Sequence, residues 1–383
     1  MRNILVVFGG KSCEHDVSII TGVLTLNSID KENYNPIPLY ITKEGEFISD
    51  KKLFDVGFYK KSNFKNLKRV CFIGGKRELY LVKGKKKLCD IYAAINCIHG
   101  INGEDGSLSG FFNYFNIPLA SPSLFQSSFS MDKEFTKIAL KGLGVQTLDY
   151  LKITKCEYIQ NSSETLFKIQ EKFSYPIIIK PANLGSSIGI STANNHLELV
   201  NGLKLAFTYD EKVIIEKKLI GYQEFNCACY IGLNGVKVSE IEKPFSKSEI
   251  LTFADKYQGY KGGGGREFPA VISKSLENKI KKVTQKIYTS FNFLGVIRID
   301  YLYFDNKLYV NEINTVPGSL AYYLFVDTIK DFSKMLTDII EYSVKTHNAW
   351  QSKNHTYSSN VLEIEGAKSK SIKKFWHKIF IVL

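Results

Sequence analysis

Residues 297–319 read IRIDYLYFDNKLYVNEINTVPGS, and this stretch holds the densest group of side chains that can do chemistry. Two apolar runs flank Asp305, Asn306 and Lys307, a turn-like break, so the segment predicts a β-hairpin. Residues two apart on a strand point the same way. Arg298 and Asp300 therefore share one face of the first run, and Glu312 and Asn314 one face of the second. With the loop centred on Asn306, Asp300 lies opposite Glu312 and Arg298 opposite Asn314. Two carboxylates, an amide oxygen and a guanidinium then converge on one patch. Unpaired carboxylates about 4 Å apart repel by a few kcal/mol, about 4 at an effective dielectric near 20. A hard divalent cation relieves that repulsion, and oxygen donors without His or Cys suit Mg²⁺. Arg298 beside them fits anionic oxygens. The competing reading of the four is a structural salt-bridge cluster.

Three further segments carry weaker signals. In IIIKPANLGSSIGIS, residues 177–191, Lys180 ends an apolar run and Gly185 and Gly189 bracket Ser186 and Ser187. Such a loop can turn backbone N–H groups toward a phosphate. No Lys-Ser/Thr follows the glycine, so it is not a Walker A motif, and an ordinary hairpin turn fits equally. The loop LTFADKYQGYKGGGGREF, residues 251–268, contains four consecutive glycines, with Lys256 and Tyr257 before them. It reads as a lid over a substrate or as a plain flexible linker. Finally, FGGKSCEHDVS and IHGINGEDG place Glu14 and His99 just after apolar runs. Glu14 can hold a substrate ammonium, while a lone His99 is more often structural.

These groups need a frame. The run ILVVF ends in Gly9-Gly10 and leads to an amphipathic segment from about Val17, a βα start. IYAAINCIHG, residues 91–100, predicts a second buried strand. Strands that deliver loops at their C-terminal ends are the habit of open α/β sheets. A first domain, 1–122, follows. A lysine-bearing helix from Met131, strands at YPIIIKPA, IGIS and VIIEKKL, and a helix near 196–208 predict a small α+β domain, 123–216. A third, 217–347, holds the glycine-rich loop, a helix near 275–291 and the hairpin. Residues 348–383 form a basic tail, read as a frayed terminus more readily than as a membrane-surface contact.

Composition limits the classes. A chain of 383 residues with 44% hydrophobic residues can build two or three cores. No apolar run approaches the roughly 20 residues that cross a bilayer, and the N-terminus lacks the pattern of a signal peptide, so a cytoplasmic location is expected. Seven cysteines without CxxC spacing agree with that, and Cys227 and Cys229 read as buried thiols. The net charge of +13 comes with dispersed lysines, including KGKKK at 83–87, and with no zinc-finger, RNP or helix-turn-helix pattern. It reads as a solvated surface rather than a nucleic-acid site.

Taken in order, FGG…S.EH.VS, HG..GEDG, MDK, KP…GSS.G, EK.L, DKY, RID and NEINT.PG resemble the D-alanine–D-alanine ligase family, an ATP-grasp family, over about residues 3–345. The resemblance implies a three-domain ATP-grasp architecture: an open α/β domain followed by two α+β domains that clasp ATP. It implies that Lys133 and Lys180 contact ATP phosphates, that Glu216, Lys217 and Leu219 line the adenine, and that Glu224 holds the ribose. Ser186 and Ser187 would cover the phosphates, with Lys256 reaching in from the lid. Asp300, Glu312 and Asn314 would bind two Mg²⁺ ions, with Mn²⁺ an alternative. Glu14 would hold the ammonium of a first D-alanine, with His99 near it. Glu14, Ser186 and Tyr257 would form a hydrogen-bonded link that shuts the lid. Arg298 and the Gly318 backbone N–H would stabilise an oxyanion, and Tyr323 and Leu324 would line the second-substrate pocket.

The implied reaction makes D-alanyl-D-alanine, a peptidoglycan precursor, through an acylphosphate, and a homodimer is the family habit. One departure bears on the acceptor. The family commonly has a serine after PG that helps hold the second carboxylate, and here PGSLAYYLF brings Tyr323 to that place. Acceptors such as D-serine or D-lactate, and a non-catalytic nucleotide-binding paralogue, remain the alternatives. The base for the attacking amine is not evident.

Overall fold

The computed structural model describes residues 1–60, 64–245 and 265–358. Residues Met1–Val344 form one compact unit, and Lys345 onward a second.

The first sheet is built on β1 (Arg2–Gly9), whose Ile4 to Phe8 are all but inaccessible. Near-continuous apolar runs are what a parallel strand covered on both faces requires. Helix α1 (His15–Ser28) follows, then β2 (Tyr34–Ile41) and β3 (Phe47–Ile48). A small antiparallel sheet of β4 (Val70–Phe72), β5 (Glu78–Leu81) and β6 (Lys87–Asp90) is inserted next. The chain returns as β7 (Ala93–Asn96), passes α2 (Ser107–Tyr114) and adds β8 (Leu119–Ala120). The sheet order is β3-β2-β1-β7-β8. Since β1 and β7 are parallel neighbours, the loops after them lie side by side.

Helices α3 (Leu124–Met131) and α4 (Lys133–Gly142) come next. The break falls at Asp132, whose carboxylate caps α4 by accepting from the N–H groups of Glu134 and Phe135. The sequence pattern predicts a single helix from Met131. The preceding helix is masked by the loop-like SPS, whose Ser123 proves to be a capping-box residue.

The second sheet has the order β11-β10-β12-β9. It contains β9 (Tyr150–Thr154), β10 (Ile177–Pro181), β11 (Ser191–Ala193) and β12 (Lys212–Lys217), with α5 (Ser162–Lys172) and α6 (His196–Ala206) beside it. The strand expected at IGIS starts only at Ser191; the residues before it complete the serine-glycine turn. Ile177, Ile179, Val213 and Ile215 face this sheet's own core, which turns Lys180 and Glu216 to the opposite face.

The third sheet joins β13 (Gln223–Gly232), β14 (Gly235–Pro244), β15 (Arg266–Glu267), β16 (Val296–Phe304) and β17 (Lys307–Asn314), in the order β15-β14-β13-β16-β17. Helix α7 (Lys274–Ser290) covers its apolar face, where Phe225, Cys227, Cys229, Ile297, Ile299 and Tyr301 pack. Both thiols are buried, and burial pushes both up from the ordinary thiol range. The other face is polar and carries Glu224, Asn226, Glu242, Arg298 and Asp300. A 3-10 segment, Gly318–Leu324, and helix α8 (Ile329–Gln351) follow the third sheet. In the second unit, the Trp350 and His355 rings lie 4.0 Å apart. No helix among the described residues is long and apolar enough to cross a membrane.

Candidate active site

The predicted hairpin is present, with Arg298 opposite Asn314 and Asp300 opposite Glu312. The route to that pairing is not visible in the sequence. The turn is Asp305-Asn306 alone, both with positive φ, and Lys307 already pairs with Phe304. A regular ladder from that turn would set Asp300 against Asn311 and send Glu312 and Asn314 to the apolar face. One extra residue in β17, at Asn311, shifts the register between Asp300 and Tyr301 and turns the acidic and amide groups onto the polar face.

Arg298 donates twice to Asp300, Nε to Oδ1 at 2.7 Å and NH2 to Oδ2 at 2.9 Å. Asn314 Nδ2 donates to Asp300 Oδ2 at 3.1 Å. Burial works against the Arg298 charge, but Asp300 more than offsets it, so the guanidinium is firmly cationic. Asp300, Glu312 and Asn314 offer only oxygens toward a cation, and the Asp300 carboxylate retains acceptor capacity beyond these three bonds. That donor set fits Mg²⁺.

Lys133 is the first residue of α4, and its Nζ donates to the Leu184 carbonyl at 2.6 Å. It lines a narrow crevice with Gly185, Asn311, Glu312, Asn314 and Glu104. Lys212 braces this corner, 2.6 Å from Asp132 and 2.9 Å from Glu134. Lys180 pairs with Glu216 Oε2 at 2.6 Å and donates to Asn311 Oδ1 at 3.2 Å. Glu216 Oε1 is held by Lys137 at 2.5 Å. Burial pushes the Glu216 carboxyl up, but Lys180 and then Lys137 outweigh it and hold it at about 2. Leu219 and Glu224 line a separate pocket of about 320 Å³ beside Lys218, Tyr222, Lys243 and Phe245. Tyr222 donates to Glu224 at 3.2 Å. Lys217 is exposed at the end of β12, at the edge of that pocket's lining segment.

Across 172 residues of sequence, Ser186 Oγ donates to the Glu14 carboxylate. Ser186 and Ser187 both have positive φ, which bends the turn toward Glu14. Gly100 makes the approach possible: a Cβ there would lie 2.8 Å from Glu14 Oε2. Gly9, with φ +91°, does the same for the chain path before Glu14, since a Cβ would lie 2.3 Å from the Ile41 carbonyl. His15 pins that loop through Gly10 O at 2.6 Å and the Tyr40 hydroxyl at 3.0 Å.

His99 is buried. Its Nε2 lies 2.9 Å from Thr21 Oγ1, and its ring also bonds the Val316 backbone. Burial holds it down to about 4, only partly offset by Val316 and reinforced by the Arg298 charge, so it is neutral at pH 7. Thr21 also accepts from the Ser319 backbone N–H at 3.1 Å. Glu104 accepts from the N–H groups of Gly100 and Val316, at 2.8 and 2.9 Å. Burial and then Glu14 raise its carboxyl above the ordinary range.

Gly318 begins the 3-10 segment directly after Pro317. Tyr323 carries the Arg266 guanidinium over its ring, 4.7 Å from the centroid, and its hydroxyl meets Arg298. Arg266 is held in turn by Glu242 at 3.1 Å. The Leu324 side chain points into the core with Phe332 and Leu336, so only its backbone can meet a ligand. Lys256 and Tyr257 lie outside the described residues.

Sequence reasoning does not single out Thr21, Asn311, Glu242, Arg266 or Lys137. Lys137 carries a signal: it stands four residues after Lys133 and three before Leu140, on the helix face that must be buried. The others carry none, because each acts through a partner far away in the chain.

Family models for "D-ala D-ala ligase N-terminus" and "D-ala D-ala ligase C-terminus" match residues 3–122 and 139–345. The chain is 36% identical to the D-alanine–D-alanine ligase of Thermosipho africanus over 372 residues, 96% of this chain and 100% of that one. It is 37% identical to the ligase of Campylobacter jejuni over 343 residues, 88% of this chain and 92% of that one. Among solved structures, the D-alanine–D-alanine ligase of Helicobacter pylori superposes with a TM-score of 0.72 at 27% identity, over 89% of this chain and 98% of that one. That of Coxiella burnetii, at 20% identity, has a TM-score of 0.75 over 92% of this chain and 97% of that one, and so shares the fold. With both halves of the sequence matched and relatives above 30% identity along nearly its whole length, the chain belongs to the D-alanine–D-alanine ligase family of ATP-grasp proteins.

Proposed function

We propose that this protein is an ATP-dependent, ADP-forming ligase that joins two D-alanines. The observation that carries the reading is the oxygen-rich patch on the β16–β17 hairpin, where Arg298, Asp300 and Asn314 interlock and Glu312 stands opposite Asp300. Relatives named D-alanine–D-alanine ligase support it.

In the first step a carboxylate oxygen of one D-alanine attacks the γ-phosphorus of ATP, the bond from that phosphorus to the β–γ bridging oxygen breaks, and ADP leaves as the acylphosphate forms. Phosphoryl transfer depends mostly on positioning and charge neutralisation. Lys133 and Lys180 supply positive charge on the phosphates, Glu216, Lys217 and Leu219 line the adenine, and Glu224 holds the ribose. Asp300, Glu312 and Asn314 would hold Mg²⁺, two ions in this reading and replaceable by Mn²⁺, which neutralises phosphate charge when bound. Glu14, kept in place by Ser186, binds the ammonium of the first D-alanine, beside neutral His99.

In the second step the amine of another D-alanine attacks the acyl carbon, a C–N bond forms, and phosphate leaves with the former carboxylate oxygen. The oxyanion of the tetrahedral intermediate is met by Arg298 and the Gly318 N–H. Tyr323 and the Leu324 backbone shape the acceptor side. The reading includes a cytoplasmic homodimer and no nucleic-acid partner.

The test is to incubate the protein with ATP, Mg²⁺ and D-alanine, follow ADP, and identify the product by mass. Parallel samples hold L-alanine, or D-alanine with excess D-serine or D-lactate. D-alanine-dependent ADP release with D-alanyl-D-alanine as the main product is expected. Mixed products would move the acceptor and keep the mechanism. Folded protein that releases no ADP with any D-amino acid would sink the ligase reading.

A further inference from the structure

Lys137 is a buried lysine that the reaction described above does not use. It sits on α4 with its side chain 5% exposed, and its Nζ is shared between Glu216 Oε1 at 2.5 Å and the Leu148 carbonyl at 3.1 Å. The Tyr150 ring lies 5.6 Å away. Burial drives the Lys137 ammonium down from its ordinary value, Glu216 opposes this, and Lys180 adds to it. A cation placed at such a cost has to be explained.

Charge counting supplies the explanation. Lys137, Glu216 and Lys180 form one chain of contacts, with two cations on one carboxylate. Asn311, the other partner of Lys180, is neutral. The cluster therefore holds one positive charge in excess, in a place where water screens it poorly. If Lys137 were absent, Glu216 would cancel Lys180 alone, and the pair would present no net charge to an anion.

We propose that Lys137 is a positioning residue for nucleotide binding: by neutralising Glu216, it leaves the charge of Lys180 available to a phosphate group. The proposal rests on the reading of the site as one that binds ATP. Lys137 need not touch the nucleotide, and Glu216 works as the shared counter-ion that passes on its effect. The role is specific for the phosphates, and any contact of Glu216 with the adenine is common to ATP and adenosine and cancels in the ratio of their affinities.

That specificity sets the experiment. Titration calorimetry would compare wild type and Lys137→Met with Mg-ATP, with Mg-ADP, and with adenosine as a competitor. The expected result is a ratio of ATP to adenosine affinity at least about tenfold lower than in wild type. In steady state, KM for ATP rises while KM for D-alanine stays put. Lys137→Arg restores ATP binding to within about threefold. The double variant Lys137→Met/Glu216→Gln removes the cation and the carboxylate together, and is expected to recover part of the ATP-over-adenosine preference lost in the single variant.

Equal weakening of ATP and adenosine, or an unchanged ratio between them, would overturn the proposal in favour of a purely structural role. If Lys137→Met does not fold, the arginine and double variants carry the decision by the same ratio. A double variant that folds but shows no more preference for ATP than adenosine would also overturn it. Wild-type protein that binds neither nucleotide would instead fail the ligase reading itself, and Lys137 with it.

Discussion

The Thr21 hydroxyl lies 3.1 Å from the backbone nitrogen of Ser319, although 298 residues separate them. The same hydroxyl is 2.9 Å from His99 Nε2. Ser319, Leu320 and Ala321 have φ of 52°, 52° and 49°, three left-handed residues in succession. Each such residue costs about 1–2 kcal/mol. The segment is held by Thr21 at one end and by burial of Leu320, Ala321 and Leu324 in the core. It follows Gly318 directly, so fixing the segment also anchors the chain next to the proposed oxyanion donor.

Thr21→Val keeps the volume and removes the hydroxyl. The Ser319 N–H and the His99 ring then lose a partner in a buried place. We expect kcat to fall about tenfold, the equivalent of ~1.4 kcal/mol, with KM for ATP changed by less than about twofold. Thr21→Ser should recover most of the rate. A uniform rise in KM for ATP with kcat intact would refute this role.

Arg298 holds Asp300 through two parallel bonds, a geometry a lysine ammonium cannot copy. Arg298→Ala is expected to cut kcat by about two to three orders of magnitude, by analogy with the loss of an oxyanion donor. Arg298→Lys should fall between the two. Near-full turnover in the alanine variant would remove Arg298 from the mechanism.

Asn311 Oδ1 is 3.2 Å from the Lys180 ammonium. Asn311→Asp puts a second carboxylate there at almost no change in shape. It should raise KM for ATP by about tenfold, because the phosphate must now compete with a fixed anion for Lys180. Kinetics at varied ATP with saturating D-alanine measure it, and an unchanged KM would show that Lys180 does not meet the nucleotide.

His99 gives a pH signature in stability. Its ordinary value is 6.5 and its buried value about 4. Above pH 6.5 the ring is neutral in folded and unfolded chains alike, and it adds no slope. As the pH falls from 6.5 toward 4, only the unfolded chain takes up the proton, so up to about 3 kcal/mol of stability is lost. His99→Gln should flatten that part of the curve. Urea unfolding of both proteins at pH 7 and pH 4.5 measures it, and parallel losses would refute a depressed His99.

Much of this is legible in the amino-acid sequence alone. Alternation along the β16 run from Ile297 separates the apolar side chains of the hairpin from the polar ones, and the residue types on the polar face name a cation and anionic oxygens. Glycines after apolar runs mark where β1 and β7 deliver their loops, and the ordered motifs point to the family. These signals are local: periodicity and turn chemistry act over a few residues and leave a record in the chain itself.

The tertiary structure decides the rest. The bulge at Asn311 turns Glu312 and Asn314 to the polar face. A loop centred on Asn306 yields the same pairing only because that centre is off by half a residue, in the direction that compensates for the bulge. Lys137 on Glu216, Ser186 on Glu14 and Thr21 on Ser319 join segments 79, 172 and 298 residues apart. No periodicity encodes such contacts. They form because separate apolar faces must be buried together, and burial then obliges each polar group carried inward to find a partner, wherever in the chain that partner lies.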